Sequence, residues 1–198
     1  MITFIVPARG GSQRLKNKNI KDLNGKPLIF YTIESLLNHS LISRVLFTSD
    51  SEVYCDLVEK EFGKQVTLEL RPAETATNTT KVVDEVERLL LSRSEYFETE
   101  WFGMALPTAP LRDHKIVGEA LKFFQNNPRP LFSCNAYDFP VQFAFRMREN
   151  EGNNQNWSPV LEDSPMITGN TRSQDIEKLY RPNGAPYINS KQNFLDSK

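Results

Sequence analysis

The sequence predicts an α/β fold in which helices cover a mostly parallel β-sheet. Through about position 136, short apolar runs alternate with segments whose apolar residues recur at helical spacing. This alternation is typical of strands and helices that follow one another around a parallel sheet. Two of the runs stop at a proline, Pro7 and Pro107, which indicates where a strand ends.

The predicted strands are short apolar runs, as expected of strands buried on both faces of a sheet. They cover residues 2–6, 44–48, 65–70, 101–106 and 131–136.

The predicted helices lie between these strands. The first follows Pro27, which suits the first position of a helix. The second follows the possible capping segment Ser49-Asp50-Ser51 and runs to about Phe62. The third covers 79–92, and the fourth begins after the N-cap candidate Asp113.

The last third of the chain loses this regular alternation. Residues 149–158 are rich in Asn, Glu and Gly and predict an exposed loop, and residues 159–182 show no clear period. The pair Asn183-Gly184 indicates a turn before a short strand at 186–189.

The length of 198 residues predicts a single domain over residues 1–198, and the change of pattern late in the chain favours a small arm or insertion at about 138–182. The net charge of −1 gives no overall attraction to nucleic acid or an anionic membrane. No apolar run approaches the roughly 20 residues that a membrane helix needs, and the N-terminus has no signal-peptide pattern. Cys55 and Cys134 match no metal spacing, so reduced thiols and a cytoplasmic location are expected.

The loop after the first strand is a candidate phosphate site. Gly10 and Gly11 permit a tight turn and let backbone N–H groups approach an anion. Ligands of parallel sheets bind at the carboxyl ends of the strands, where this loop lies. The alternative is a solvated basic loop. The segment contains neither a Gly-x-Gly-x-x-Gly motif nor a P-loop. Its basic residues, opposed only by Asp22, are Arg9, Arg14, Lys16, Lys18, Lys21 and Lys26.

Segments spread through nearly the whole chain resemble, in the right order, the acylneuraminate cytidylyltransferases. They are Pro-Ala-Arg-Gly-Gly-Ser at 7–12, Lys-Asn-Ile at 18–20, Asn-Gly-Lys-Pro-Leu at 24–28, Phe-Thr-Ser-Asp at 47–50, Arg-Pro-Ala-Glu at 71–74, Pro-Thr-Ala-Pro-Leu-Arg at 107–112, Arg-Ser-Gln-Asp at 172–175 and Tyr-Arg-Pro-Asn-Gly-Ala at 180–185.

This resemblance implies a Rossmann-like three-layer sandwich and a specific reaction. The anomeric hydroxyl of a nine-carbon acidic sugar of the sialic acid type attacks the α-phosphate of CTP, and pyrophosphate leaves. Such chemistry needs positioning and charge neutralisation more than a covalent nucleophile. The resemblance also implies Mg²⁺ and a homodimer that forms through the arm at 138–182.

The resemblance further implies which residues bind the nucleotide. Arg9 and Lys18 would be the catalytic cations, and Arg71 would lie near the cytosine or ribose. Alternatively, Arg71 and Arg112 could form surface ion pairs. The implied nucleotide-binding set is Ala8, Arg9, Gly10, Gly11, Ser12, Arg14, Lys18, Asn19, Arg71, Thr79 and Thr80.

On the sugar side, the resemblance implies Arg172, Gln174, Asn183 and Tyr187. A guanidinium suits a carboxylate because its planar fork donates two parallel hydrogen bonds. Alternatively, Arg172 could be an interface residue and Tyr187 a core residue.

The sequence also departs from the family pattern. Gln13 replaces the usual lysine, Ala109 replaces a serine, and Leu106 replaces the glutamine that contacts the sugar in sialic-acid members. The sequence therefore does not decide whether the sugar substrate is a sialic, a pseudaminic or a legionaminic acid.

The family's C-terminal metal-binding aspartates have no counterpart before Lys198, which leaves Asp50 and Asp175 as the metal candidates. Two rival interpretations follow. One is a cytidylyltransferase for an eight-carbon acidic sugar, and the other is a truncated or catalytically impaired nucleotide-binding or dimerisation module.

Overall fold

The computed structural model describes residues 1–11, 15–77, 79–149, 155–170 and 172–197. Short 3₁₀ turns join several of its elements. The strands and helices, in chain order, are β1 (Ile2–Pro7), β2 (Asp22–Leu23), β3 (Lys26–Pro27), α1 (Leu28–Leu36), β4 (Ile42–Ser49), α2 (Glu52–Phe62), β5 (Val66–Leu70), α3 (Val82–Ser92), β6 (Trp101–Ala105), α4 (His114–Asn126), β7 (Leu131–Ala136), β8 (Phe145–Glu149), β9 (Gln155–Pro159), α5 (Pro165–Thr168), β10 (Tyr180–Ser190) and α6 (Lys191–Asp196).

The central sheet has six strands in the order β5-β4-β1-β6-β10-β7. Strand β1 lies parallel to both β4 and β6, and β4 lies parallel to β5. Strand β10 returns antiparallel to β6. The sheet is therefore mostly parallel, and the predicted α/β fold class is confirmed.

Helices cover both faces of this sheet because successive residues of β1 point to opposite sides. Phe4 and Val6 join the larger core, with apolar residues of α1, α2 and α4. Ile5 joins the second core, with Val86 and Leu89 of α3 and, at its edge, Phe194 of α6. The result is a sheet between two helical layers.

Most predicted elements lie close to their observed bounds, but the loop predicted at 149–158 is wrong in part. Strands β8 and β9 form an antiparallel hairpin in which Met147 pairs with Trp157. The hairpin was missed because its apolar residues, Phe145, Met147 and Trp157, are exposed and the segment between its strands is rich in Asn, Glu and Gly. Backbone pairing and the contact between the rings of Phe145 and Trp157 join the two strands. Residues 150–154 lie outside the described residues.

The chain divides into two compact units. Unit 1 comprises Met1–Ser133 and Gly184–Lys198, and unit 2 comprises Cys134–Asn183. Unit 2 contains the β8–β9 hairpin and α5, and it covers the arm predicted at 138–182. The predicted dimerisation role of this arm stays a prediction. In the described part of the chain, no helix has the length and apolar character required to cross a bilayer.

Candidate functional site

The carboxyl ends of three parallel strands of the central sheet, β1, β5 and β6, enclose a cavity of about 480 Å³ in unit 1. Pro7 ends β1, Arg71 follows β5, and Leu106 follows β6. A cavity at the carboxyl ends of parallel strands is the usual ligand site of an open α/β sheet. Its wall is formed by Pro7, Arg9, Lys18, Asn19, Arg71, Thr79, Thr80, Lys81, Val82, Glu85, Leu106, Pro107 and Thr108.

Six of the residues predicted to bind the nucleotide lie together in this wall. Of the rest, Ala8 is buried and its N–H donates to the carbonyl oxygen of Thr48 at 2.9 Å. Ser12 and Arg14 lie outside the described residues, as does Gln13. The six that line the cavity are Arg9, Lys18, Asn19, Arg71, Thr79 and Thr80.

Side chains from other segments hold the loop that follows β1. Asn19 is buried and its Nδ2 donates to the carbonyl oxygen of Arg9 at 3.1 Å. Arg9 Nη1 donates to the carbonyl oxygen of Thr77 at 3.2 Å. The N–H of Gly10 donates to Asp50 Oδ1 at 2.8 Å. The N–H of Gly10 thus has an acceptor within the protein, and the role of Gly10 and Gly11 in nucleotide binding stays a prediction.

Of the predicted capping segment of α2, Ser51 holds the N-cap position, although its side chain makes no capping hydrogen bond. Asp50 lies one residue earlier, and its Oδ1 binds the N–H of Gly10 instead. By contrast, Asp113 caps α4 as predicted, because its carboxylate accepts from the N–H of Ile116 at 2.8 Å.

Arg71 is a buried cation, so its interpretation as a surface ion-pair residue is wrong. Only 6% of its surface is exposed. Its Nη2 lies 3.9 Å from Asp50 Oδ1 and its Nη1 lies 3.7 Å from Glu85 Oε2. Its Nε has no hydrogen-bond partner among the described residues. The guanidinium thus lies between two carboxylates at the cavity wall.

Glu85 is a residue of this wall that the sequence reasoning missed. It lies on the buried face of α3 with Val86 and Leu89, where an acid is unusual. An acid at an apolar position of an amphipathic helix is the signal that could have found it. Its carboxylate accepts hydrogen bonds from Thr48 and Arg88.

Arg112 is also buried and not a surface residue. Within the described part of the chain, no carboxylate lies at ion-pair distance from it. Its guanidinium instead donates to Ser35 Oγ at 3.2 Å and to the carbonyl oxygens of Leu106 at 3.3 Å and Ala185 at 3.4 Å. Burial lowers the pKa of Arg112 to about 10. Arg112 therefore ties the loop that carries Leu106 to α1 and β10.

Leu106 occupies a fixed place at the cavity wall. Its N–H donates to the carbonyl oxygen of Gly184 at 3.1 Å. Gly184 has a φ of 75°, and a Cβ there would lie 3.2 Å from Leu106 Cδ1. Glycine is required at 184 because other residues rarely adopt this φ and because Leu106 fills the adjacent space.

The predicted sugar-side residues are divided between the two units. In unit 2, exposed Arg172 pairs with Asp175 at 3.3 Å, and Gln174 lines a cavity of about 350 Å³. Also in unit 2, Asn183 donates to the side chain of Asn135. Tyr187 belongs to unit 1, is half-buried, and has Phe132 as an aromatic neighbour at 6.3 Å.

The two metal candidates do not fit a metal site built by the protein. Asp50 already accepts from Gly10 beside the Arg71 cation, and Asp175 pairs with Arg172. Across the described ranges, no group of three His, Cys, Asp or Glu side chains could hold a metal ion.

Known proteins resemble this chain over nearly its whole length. The sequence model of the cytidylyltransferase family matches residues 3–196. Pseudaminic acid cytidylyltransferase of Campylobacter jejuni is 33% identical over 97% of this chain and 79% of its own length. N-acylneuraminate cytidylyltransferase of Escherichia coli is 32% identical over 100% of this chain and 44% of its own. CMP-N,N'-diacetyllegionaminic acid synthase of Legionella pneumophila is 26% identical over 100% and 81%.

Solved structures agree in fold. The structure of CMP:2-keto-3-deoxy-manno-octonic acid synthetase complexed with CTP aligns with a TM-score of 0.67, at 16% identity over 100% of this chain and 77% of that one. At this identity the likeness shows the fold alone. The family match and the identity to curated relatives show that this nucleotidyltransferase belongs to the cytidylyltransferase family.

Proposed function

We propose that this enzyme transfers CMP from CTP to a nine-carbon acidic sugar and releases pyrophosphate. The observation that carries the proposal is the cavity at the strand ends, where Arg9, Lys18, Asn19 and Arg71 meet. The relatives named above for pseudaminic, N-acylneuraminic and legionaminic acids support this class of sugar.

In the proposed reaction, the anomeric hydroxyl oxygen of the sugar forms a bond to the α-phosphorus of CTP. The bond between that phosphorus and the bridging oxygen to the β-phosphate breaks, and the hydroxyl proton leaves to solvent. Negative charge grows on the departing pyrophosphate. Arg9 and Lys18 would neutralise it, because cations placed where charge develops lower the barrier.

The cytosine and ribose would lie on the Arg71 side of the cavity. Arg71 brings a buried guanidinium whose Nε has no partner among the described residues, and Thr79 and Thr80 bring hydroxyl groups. A ligand with carbonyl or hydroxyl acceptors would satisfy such donors, and buried donors gain from being satisfied.

A requirement for Mg²⁺ is part of the proposal and rests on the family resemblance. Mg²⁺ keeps several waters and binds mainly to substrate phosphates, with one or two carboxylates, so it does not need a protein-built cage. Such an ion would help to neutralise the triphosphate. Pyrophosphate release with and without EDTA tests this requirement.

Within unit 2, Arg172 is proposed to bind the sugar carboxylate, with Gln174 and Asn183 contributing hydrogen bonds. The role of Tyr187, in unit 1, as a sugar-binding residue stays a prediction. Arg172 is exposed and paired to Asp175, so its guanidinium would exchange one carboxylate for another. Leu106, which cannot hydrogen-bond a sugar hydroxyl, favours a sugar with an apolar group at that place.

We also propose a cytoplasmic homodimer that forms through unit 2. Several apolar side chains of this unit are exposed, including Phe139, Met147, Trp157 and Ile167. Exposed apolar patches commonly mark association surfaces. Sedimentation of the wild type and of Phe139→Ser tests the dimer, and a monomeric wild type would contradict it.

The decisive experiment measures pyrophosphate release with CTP, Mg²⁺ and each of four acids: N-acetylneuraminate, legionaminate, pseudaminate and the eight-carbon keto-deoxy-octonate. Release with one nine-carbon acid, and mass detection of its CMP conjugate, is the expected result. UTP in place of CTP is the control. If no sugar gives pyrophosphate release while CTP still raises the melting temperature, the result would favour an impaired nucleotide-binding module. Release with the octonate alone would contradict the proposed sugar class.

A further inference from the structure

Glu85 is a buried carboxylate at the cavity wall that the proposed reaction leaves unused. Its side chain has no exposed surface, and it lines the cavity beside Arg71. Burying a carboxylate is unfavourable unless it is paired and hydrogen-bonded. A helix face that packs on a sheet would ordinarily carry an apolar residue at such a position. This acid therefore calls for a specific role.

The carboxylate of Glu85 is locked in place by two partners. Its Oε1 accepts from Thr48 Oγ1 at 2.5 Å and from Arg88 Nη2 at 2.9 Å. Its Oε2 accepts from Arg88 Nε at 2.8 Å. The two-point contact with Arg88 fixes both the place and the plane of the carboxylate. Thr48 belongs to β4, so the carboxylate is fixed relative to the sheet.

Arg71, in contrast, is held at its backbone by a hydrogen bond and, among the described residues, at its guanidinium only by ion pairs. Its N–H donates to the carbonyl oxygen of Ser49 at 2.9 Å. Its guanidinium contacts Glu85 at 3.7 Å and Asp50 at 3.9 Å, distances of ion pairs without a hydrogen bond. These two carboxylates thus set where the buried cation lies, while its N–H groups stay available to a ligand.

We propose that Glu85 is a positioning residue for nucleotide binding, acting through Arg71. The locked carboxylate of Glu85 holds the guanidinium at the cavity wall before the ligand arrives. Preorganised donors bind a ligand more tightly, because no ordering is needed on binding. This inference rests on the proposed function, since the expected ligand of Arg71 is CTP.

Glu69 offers a matched control within the same charge cluster. It is also buried and accepts from Arg88 Nη2 at 2.9 Å, but it does not line the candidate cavity. Burial alone would raise the pKa of Glu69, yet hydrogen bonds from Arg88, Arg93 and Tyr96 outweigh burial and lower it. Changing Glu69 therefore disturbs the same charge cluster at a carboxylate that pairs with Arg88 and Arg93 and, among the described residues, not with Arg71.

The experiment compares Glu85→Gln, Glu69→Gln and Arg71→Met in the whole chain. Calorimetry gives the Kd for CTP, steady-state kinetics gives KM and kcat, and thermal melting reports stability. We expect both glutamine variants to melt earlier. Glu85→Gln should also raise the Kd for CTP by about tenfold, while Glu69→Gln should leave it unchanged. In the Arg71→Met background, Glu85→Gln should weaken CTP binding no further.

Three results would overturn this inference but leave the proposed function standing. They are an unchanged Kd for CTP in Glu85→Gln, an equal rise of that Kd in Glu69→Gln, and a rise of the Kd by Glu85→Gln that is as large in the Arg71→Met background as in the wild type. If Glu85→Gln does not fold, Glu85→Asp replaces it, because it keeps the charge beside Arg88 and withdraws the carboxylate by one methylene. The same comparisons then apply. A wild type that fails to bind CTP overturns the proposed function, and this inference with it.

Discussion

The ring of Phe4 covers Gly103, so that a Cβ atom at Gly103 would lie 2.5 Å from Phe4 Cζ. The two residues are partners across the parallel strands β1 and β6. Phe4 is fully buried in the larger core and cannot move aside without displacing its neighbours. The strand β6 therefore requires a residue without a side chain at 103, although glycine is usually unfavourable in strands.

Gly103→Ala should lower the free energy of unfolding by about 1–3 kcal/mol, because the added methyl group overpacks the core. Urea denaturation measures the change. Phe4→Leu in the same chain should reduce the cost of the alanine, so the two changes should not add. Gly11→Ala is the control, since a Cβ at Gly11 meets no atom of the described residues within 4 Å. If Gly103→Ala lowers the free energy of unfolding by the same amount in the wild type and in the Phe4→Leu variant, the steric clash between residues 4 and 103 is contradicted.

Arg9→Ala should reduce kcat/KM for CTP by about 100-fold, since a lost cation leaves developing phosphate charge unbalanced. Stability should change little, because Arg9 is partly exposed and, within the described ranges, its side chain makes one hydrogen bond, to the carbonyl oxygen of Thr77. Pyrophosphate release and circular dichroism are the measurements. Lys64→Ala removes an exposed cation outside the cavity and is the control. Normal turnover in Arg9→Ala would remove Arg9 from the phosphate site.

Leu106→Gln should change the choice of sugar without changing the affinity for CTP. The glutamine would bring an amide to the cavity wall, where sialic-acid members of the family carry one. We expect relative kcat/KM to shift toward N-acetylneuraminate by about tenfold, the scale of one hydrogen bond. The four-sugar panel measures it. An unchanged ranking of the sugars would show that Leu106 does not contact the substrate.

Arg112→Lys should lower the free energy of unfolding by about 1–3 kcal/mol, because an ammonium cannot match the spread of acceptors that the guanidinium reaches. Those acceptors are Ser35 Oγ and the carbonyl oxygens of Leu106 and Ala185. Denaturant titration gives the value. Arg129→Lys, on an exposed residue, is the control. Equal stability in Arg112→Lys and wild type would mean that charge alone is needed at 112.

His39 should make the protein less stable in mild acid. Its ring stacks on that of His114, with centroids 3.7 Å apart. Burial and the charge of His114 lower the pKa of His39 from 6.5, and a hydrogen bond to the Ser35 carbonyl opposes this in part. The folded chain thus binds this proton less readily than the unfolded chain, so stability falls as pH drops through 6.5.

Melting temperatures between about pH 7.5 and 5.5 test this dependence. The wild type should lose more stability over that range than His39→Gln. His114→Gln should lie between the two, because it removes one of the two effects that lower the pKa of His39. A wild type and a His39→Gln variant with the same pH dependence would contradict the assignment.

The sequence by itself determined the α/β fold and the neighbourhood of the site. The spacing at which apolar residues recur shows which faces of the strands and helices are buried. The order of these elements implies a parallel sheet, and ligands bind at the carboxyl ends of the strands of such sheets. For that reason Arg9, Lys18 and Arg71 could be placed near one cavity from their positions after strands and in motifs. The hairpin of β8 and β9 was not predicted, because its apolar residues are exposed and, in the described part of the chain, pack on no buried core, so the pairing of its backbones leaves no burial signal in the sequence.

Only the tertiary structure decided the state of the charges around that cavity. A sequence does not show that Arg71 and Arg112 are buried, since burial depends on which segments pack over them. It also gives no reason to connect Glu85 with Thr48, 37 positions away, or Gly10 with Asp50. The spacing of residues along the chain determines which segments form strands and helices. The pairing of buried charges, in contrast, depends on contacts that form only when distant segments pack together.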